Sequence, residues 1–144
     1  MQIQRYTDEY HDDMLRLVNE FKDESLHEYG ITFNDQALEA AINDLKGSAF
    51  IAVIDGRAQG VFAGREVMAA GTSDRVWHEV IWFMSKPHRK YGLKLLNHAT
   101  EQLKADGFAA IVMVYMHNSK SHELYDLYTR MGLKPMETNF IGRL

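Results

Sequence analysis

Residues 82–108 read WFMSKPHRKYGLKLLNHATEQLKADGF, and their order decides the fold. An aromatic, apolar run ends at Met84. A cation-rich stretch follows, KPHRKYGLK over residues 86–94, with Lys86, Arg89, Lys90 and Lys94 and no acid. Leu93, Leu96, Ala99, Thr100 and Leu103 then recur at helical spacing until Asp106-Gly107 stops them. The stretch therefore sits where a strand turns into a helix. Unpaired N–H groups and the dipole of a helix N-terminus attract anions. Gly92 allows the backbone close to a ligand, Arg89 can grip a phosphate through two N–H groups, and Lys90 and Lys94 act as point charges. The reading is a pyrophosphate seat; the alternative is a solvated, charged loop. Neither a GKS/T phosphate loop nor a G-x-G-x-x-G dinucleotide turn is present.

Working outward, the chain before residue 75 alternates between periods. IQRYT (residues 3–7) is a short strand. Thr7 or Asp8 caps a helix carrying Tyr10, Met14, Leu17, Val18 and Phe21 on one face, fading before Gly30. Asn34 or Asp35 caps a second helix with Leu38, Ala41, Ile42 and Leu45 buried, ended by Gly47. SAFIAVI (residues 48–54), the turn DGR, and AQGVFAGREV (residues 58–67) read as a hairpin. MAAGTSD (residues 68–74) is a polar loop, and RVWHEVIWFM (residues 75–84) is a long aromatic strand.

Beyond the helix, Phe108 to Met116 is apolar on both alternations, as expected of a strand buried on both faces. A last helix starts after Asn118 or Ser119, with Leu124, Leu127, Tyr128 and Met131 on one face and Gly132 at its end. KPMETNFIGRL (residues 134–144) is extended. The order β-α-α-β-β-β-α-β-α-β predicts one α/β domain over residues 1–144, a mixed sheet with helices on both faces. The unit from residue 75 to 116 is expected to be a right-handed parallel crossover.

The whole chain of 144 residues has 16 Lys+Arg against 20 Asp+Glu, a formal net charge of −4, so a broad nucleic-acid-binding face is not expected. No cysteine is present, which excludes disulfides, thiolate nucleophiles and Cys-ligated zinc. The longest apolar run is too short to span a bilayer, and the N-terminus lacks the apolar core of a signal peptide. The expectation is a cytoplasmic protein without membrane contact.

With these elements the chain resembles the GCN5-related N-acetyltransferase (GNAT) superfamily, and is similar to small members from bacteria and their phages. WFMSKPHRKYGLKLLNHATEQLKADGF looks like that family's central strand, pyrophosphate loop and helix. LYTRMGLKPMET (residues 127–138) looks like its second hallmark, a helix end followed by the last strands. Arg89-Lys90-Tyr91-Gly92 fits the family's R-x-x-G, while Lys94 stands where its pattern has a small residue.

The resemblance implies a central, mostly antiparallel twisted sheet and an N-acetyltransferase. Such an enzyme moves an acetyl group from acetyl-CoA to a primary amine of a small molecule or peptide, by direct attack. It implies that backbone around Phe83, Met84 and Ser85 pairs with the pantetheine arm. N–H groups from Arg89 through Lys90, Tyr91 and Gly92 to Leu93 would hold the pyrophosphate, with Lys94 nearby. Homodimers are common in the family, though no residue here points to one. The alternatives are an inactive GNAT-fold binding protein acting through protein contacts, and a binder of another phosphorylated ligand.

Individual residues keep two readings. By spacing alone Tyr128 is a core aromatic; the resemblance makes it the acid that protonates the leaving thiolate, with Tyr125 a poorer candidate. Glu79 lies in a strand whose burial would raise its pKa toward that of a general base, its alternation partners being Trp77, Ile81 and Phe83. The alternative is a satisfied or solvent-facing carboxylate, and His78 on the opposite side is the rival base. Asn118 is a helix cap or touches the coenzyme arm. Asp23, Glu24 and Glu28 could attract a cationic amine or form a solvated acidic loop. His117 and His122 share no helix face, so no metal site is expected.

Overall fold

The computed structural model describes residues 1–68, 71–118 and 120–144. Part of the loop expected over residues 68–74 and one of the two expected caps of the last helix, Ser119, lie outside the described residues. The elements run β1 (Gln2–Arg5), α1 (His11–Ser25), α2 (Asp35–Leu45), β2 (Ala49–Ile54), β3 (Arg57–Met68), β4 (Arg75–Met84), α3 (Gly92–Ala105), β5 (Ala110–Val112) and α4 (Ser121–Arg130). They build a mixed α/β architecture around one open sheet of order β1-β2-β3-β4-β5. The first three pairings are antiparallel and β4–β5 is parallel.

Local chemistry explains the boundaries. Asn34 Oδ1 accepts from the Ala37 N–H at 2.8 Å and starts α2. The β2–β3 turn needs two residues at positive φ, met by Asp55 (52°) and Gly56 (77°). Between β4 and α3, residues Lys86–Tyr91 wind into a 3₁₀ turn that runs straight into the helix. Among the described residues no helix is long and apolar enough to cross a membrane.

Two cores sandwich the sheet. On one face Met14 and Leu17 of α1 and Ile42 of α2 pack on Ile51, Val61, Ala63, Ile81 and Phe83. On the other, Leu95, Leu96, Ala99 and Leu103 of α3 pack on Phe50, Phe62, Trp77 and Met84, with Leu127 of α4, and Met131 just beyond that helix, at the margin. Each fully buried Phe or Leu contributes about 1.5–3 kcal/mol. Asp13 pins α1 to the start of β3. Its Oδ1 accepts from Arg57 Nη2 at 2.5 Å and Nε at 3.0 Å, and its Oδ2 from the Ala58 N–H at 2.8 Å.

The structure departs from the sequence expectation in three places. Glu79 does not share a face with Ile81 and Phe83. The β3–β4 register passes from Ala63↔Ile81 to Gly64↔Glu79, so Val80 has no partner and forms a β-bulge. The bulge turns the alternation over. Trp77 belongs to the α3 core, whereas Ile81 and Phe83 belong to the α1 core.

Second, the run from Phe108 to Met116 is not a strand buried on both faces. Only Ala110–Val112 pair with β4, and residues 108–116 are half-buried or exposed. β5 is an edge strand, and β4 leaves it after His78.

Third, the tail contains no strand. Its last backbone hydrogen bond runs from the Leu133 N–H to Tyr128 O at 3.0 Å. Pro135 has no N–H to donate to a ladder, and Arg143 Nη1 reaches Gly30 O (3.1 Å) rather than β5. Phe140 is accordingly 95% exposed.

Candidate active site

Where β4 and β5 part, a cleft of about 210 Å³ opens, bounded by α1, β4, the start of α3, Val114 and α4. Glu79 and Tyr128 face each other across Val114. Glu79 Oε2 accepts from the Val114 N–H at 2.8 Å, and the Tyr128 hydroxyl donates to Val114 O at 3.0 Å. The backbone of one residue, Val114, thus joins the two candidate catalytic side chains. Burial pushes the Glu79 carboxyl up to about 7, and the single Val114 N–H offsets this only in part. Burial, then the nearby Glu79, raises the Tyr128 phenol above its ordinary range, so it holds its proton at neutral pH.

The bulge puts Glu79 here. With Val80 unpaired, Glu79 lies opposite Gly64, where an added Cβ would stand 2.2 Å from His78 O. His78, the rival base, is turned away. Its Nδ1 is 2.8 Å from Glu79 O, the ring nitrogen donating, and it lines a separate cavity.

The predicted coenzyme residues divide. Phe83, Met84, Arg89 and Gly92 line the cleft together with Glu79 and Tyr128. Among the described residues, β4 has no ladder pair with β5 from Glu79 onward. Ser85 has its N–H bonded to Gln59 O at 2.8 Å and its Oγ to Gln59 Oε1 at 2.8 Å.

Gly92 has ordinary helical φ (−57°), and an added Cβ would make only van der Waals contact with Met84 (3.4 Å) and Trp82. Its N–H is already spent on Arg89 O, within the 3₁₀ turn. Lys90 and Lys94 flank the Tyr91 ring, their ammonium groups 5.1 and 5.9 Å from its centroid, and neither lines the cleft. Leu93 is exposed.

Arg89 pairs with Glu24 of α1. Asn118 neither caps α4, whose cap position is Lys120, nor faces the cleft. Its Nδ2 donates to Ser25 O (3.1 Å) and to Glu28. Sequence reasoning missed both links, and Lys120 as a cleft residue, since nothing in the local pattern ties α1 to these loops. Among the described residues no cluster of three or more His, Asp or Glu side chains could hold a metal.

Comparison with known proteins supplies the frame for this geometry. The solved structure of a probable acetyltransferase superposes with a TM-score of 0.76 at 14% identity, covering 100% of this chain and 98% of that one. The ribosomal-protein-alanine N-acetyltransferase of Brucella melitensis biovar Abortus 2308 gives 0.73 at 14% identity, covering 100% of both chains. The aminoglycoside N-acetyltransferase AAC(6')-Iy, solved with the bisubstrate analog CoA-S-monomethyl-acetylneamine, gives 0.72 at 15% identity, covering 99% of this chain and 97% of that one. No curated protein matches the chain. At these identities the structural likeness establishes the fold. The model of the acetyltransferase (GNAT) family matches residues 9–132, nearly the whole chain, and the protein belongs to that family.

Proposed function

We propose that the protein is an acetyl-CoA-dependent N-acetyltransferase that passes the acetyl group directly to a primary amine. The observation that carries this reading is the pairing of Glu79 and Tyr128 on opposite sides of Val114, at the gap between β4 and β5.

In this reading the edge of β4 from Glu79 onward receives the pantetheine arm, and Arg89 with the start of α3 receives the diphosphate. Glu79, half-ionised near pH 7, takes the proton from the attacking ammonium, directly or through water. Tyr128 gives its proton to the departing sulfur; its raised pKa keeps it protonated until charge develops there. No covalent intermediate with the chain is required.

The pairing of Arg89 with Glu24 favours a second reading. A GNAT-fold binding protein that no longer uses the coenzyme would keep that pair permanently closed.

Thermal unfolding with and without acetyl-CoA separates the two. A ligand at 100 times its dissociation constant adds about 2.7 kcal/mol of stability. We expect such a shift, and expect Arg89→Glu to remove it. Tyr128→Phe should keep the shift while slowing turnover at least tenfold. No shift at millimolar acetyl-CoA would favour the binding protein.

A further inference from the structure

A second cavity, of about 530 Å³, lies between β5 and the tail, in the size range of about 300–1,000 Å³ common for small-molecule sites. It adjoins the coenzyme cleft, with Val114, Met116 and Tyr128 lining both. A molecule held in it lies beside Tyr128, whose hydroxyl and the Glu79 carboxyl bond to the same residue, Val114.

The walls are apolar and aromatic: Ile31, Ile111, Met113, Tyr115 and Tyr125 among them. Tyr115 packs edge-to-face with Tyr125 (6.1 Å between centroids) and with His117 (5.1 Å). Fixed charges in the lining are one of each sign, Lys134 and Glu137.

A polycation desolvated here would meet a single carboxylate, Glu137. The acids that the sequence suggested for a cationic amine are committed elsewhere. Glu24 pairs with Arg89, Glu28 accepts from Asn118, and Asp23 lies 3.4 Å from Lys22. None of the three lines this cavity.

We propose that the acceptor is a monoamine on an apolar, aromatic body, bound in the cavity between β5 and the tail, and not a polyamine or aminosugar. This rests on the acetyltransferase reading above. The aromatic walls receive the body of the acceptor, and its single ammonium is deprotonated at the Glu79 end.

The test compares 2-phenylethylamine, spermidine and an aminoglycoside as acceptors, following release of CoA. We expect kcat/KM for 2-phenylethylamine to exceed the others at least tenfold. Tyr125→Ser should raise its KM about tenfold and leave the acetyl-CoA thermal shift unchanged. Preference for spermidine or the aminoglycoside, or a Tyr125→Ser variant with unaltered KM, would overturn the proposal while leaving the acetyltransferase intact.

Should acetyl-CoA give no thermal shift, the acetyltransferase reading falls, and calorimetric titration of the free protein still decides the cavity. Tighter binding of 2-phenylethylamine than of spermidine, weakened by Tyr125→Ser, supports the site. Equal or weaker binding overturns it.

Discussion

Asp13 and Glu79 are both buried carboxylates, 8% and 6% exposed, yet their environments drive them in opposite directions. Burial disfavours the charge on each. At the α1–β3 junction that penalty is outweighed by hydrogen bonds from Arg57 and Ala58 and by the charges of Arg57 and Arg16, so the Asp13 pKa is lowered. At the β4–β5 gap one backbone N–H is the whole compensation, and the Glu79 carboxyl rises to about 7. A carboxylate given every partner it needs holds structure together. One left short of partners exchanges its proton at neutral pH and can do chemistry.

The sharpest way to break this comparison is Glu79→Gln. A general base is worth about 100- to 10,000-fold, so kcat/KM should fall by at least 100-fold. The rise of the wild-type profile through about pH 7 should flatten. A variant with full activity and an unchanged pH profile would remove Glu79 from the chemistry.

Asp13→Ala should cost about 2–4 kcal/mol in denaturant unfolding, since it leaves Arg57 and the Ala58 N–H without their shared partner. Activity per folded molecule should be unaffected. Because the folded pKa of Asp13 is depressed, its contribution is complete above its unfolded value near 3.8 and lost as pH falls through the folded one. Asp13→Asn should therefore lose less stability than the wild type on acidification below about pH 4.

Glu79 has the reverse sign. Its folded pKa lies above its ordinary value of 4.5, so stability is lost as pH rises from there through about 7. Glu79→Gln should be more stable than the wild type at pH 8, by about 3 kcal/mol, and gain nothing at pH 4. Least affected should be Phe140→Ser in the exposed tail, within about 0.5 kcal/mol of wild type in the same measurement.

Legibility in the sequence follows how local the cause is. The helices, the Asp55-Gly56 turn and the strand–turn–helix around Gly92 are set by periodicity and turn chemistry and were readable. Yet α1 starts at His11, after a 3₁₀ turn, and not directly after Thr7 or Asp8, and the cap position of α4 is Lys120. Glu79 was readable as a candidate, because a carboxylate in an aromatic strand is a visible anomaly; Tyr128 read by spacing as a core aromatic and became a candidate only through the family resemblance. Their meeting at Val114 was not readable, since it depends on where two parallel strands diverge.

The Val80 bulge is likewise a property of the β3–β4 pair, with Gly64 opposite as its faint local sign. β5 misled because its apolar composition was compatible with burial, while its neighbour withdraws after three residues. The links from α1 to Arg89 and Asn118 join positions 65 and 93 residues apart, beyond any pattern of spacing.

The unpaired Val80 also holds the two halves of β4 at opposite parity. Deleting it would leave every other side chain on its present face, whereas drawing it into an unbroken ladder would reverse the parity of one half of the strand. Either Glu79 would exchange places with His78, or Ile81 and Phe83 would leave their helices for the opposite layer. No single substitution undoes such a reversal. Descendants of this chain can change most side chains along β4, so long as its two halves keep opposite parity.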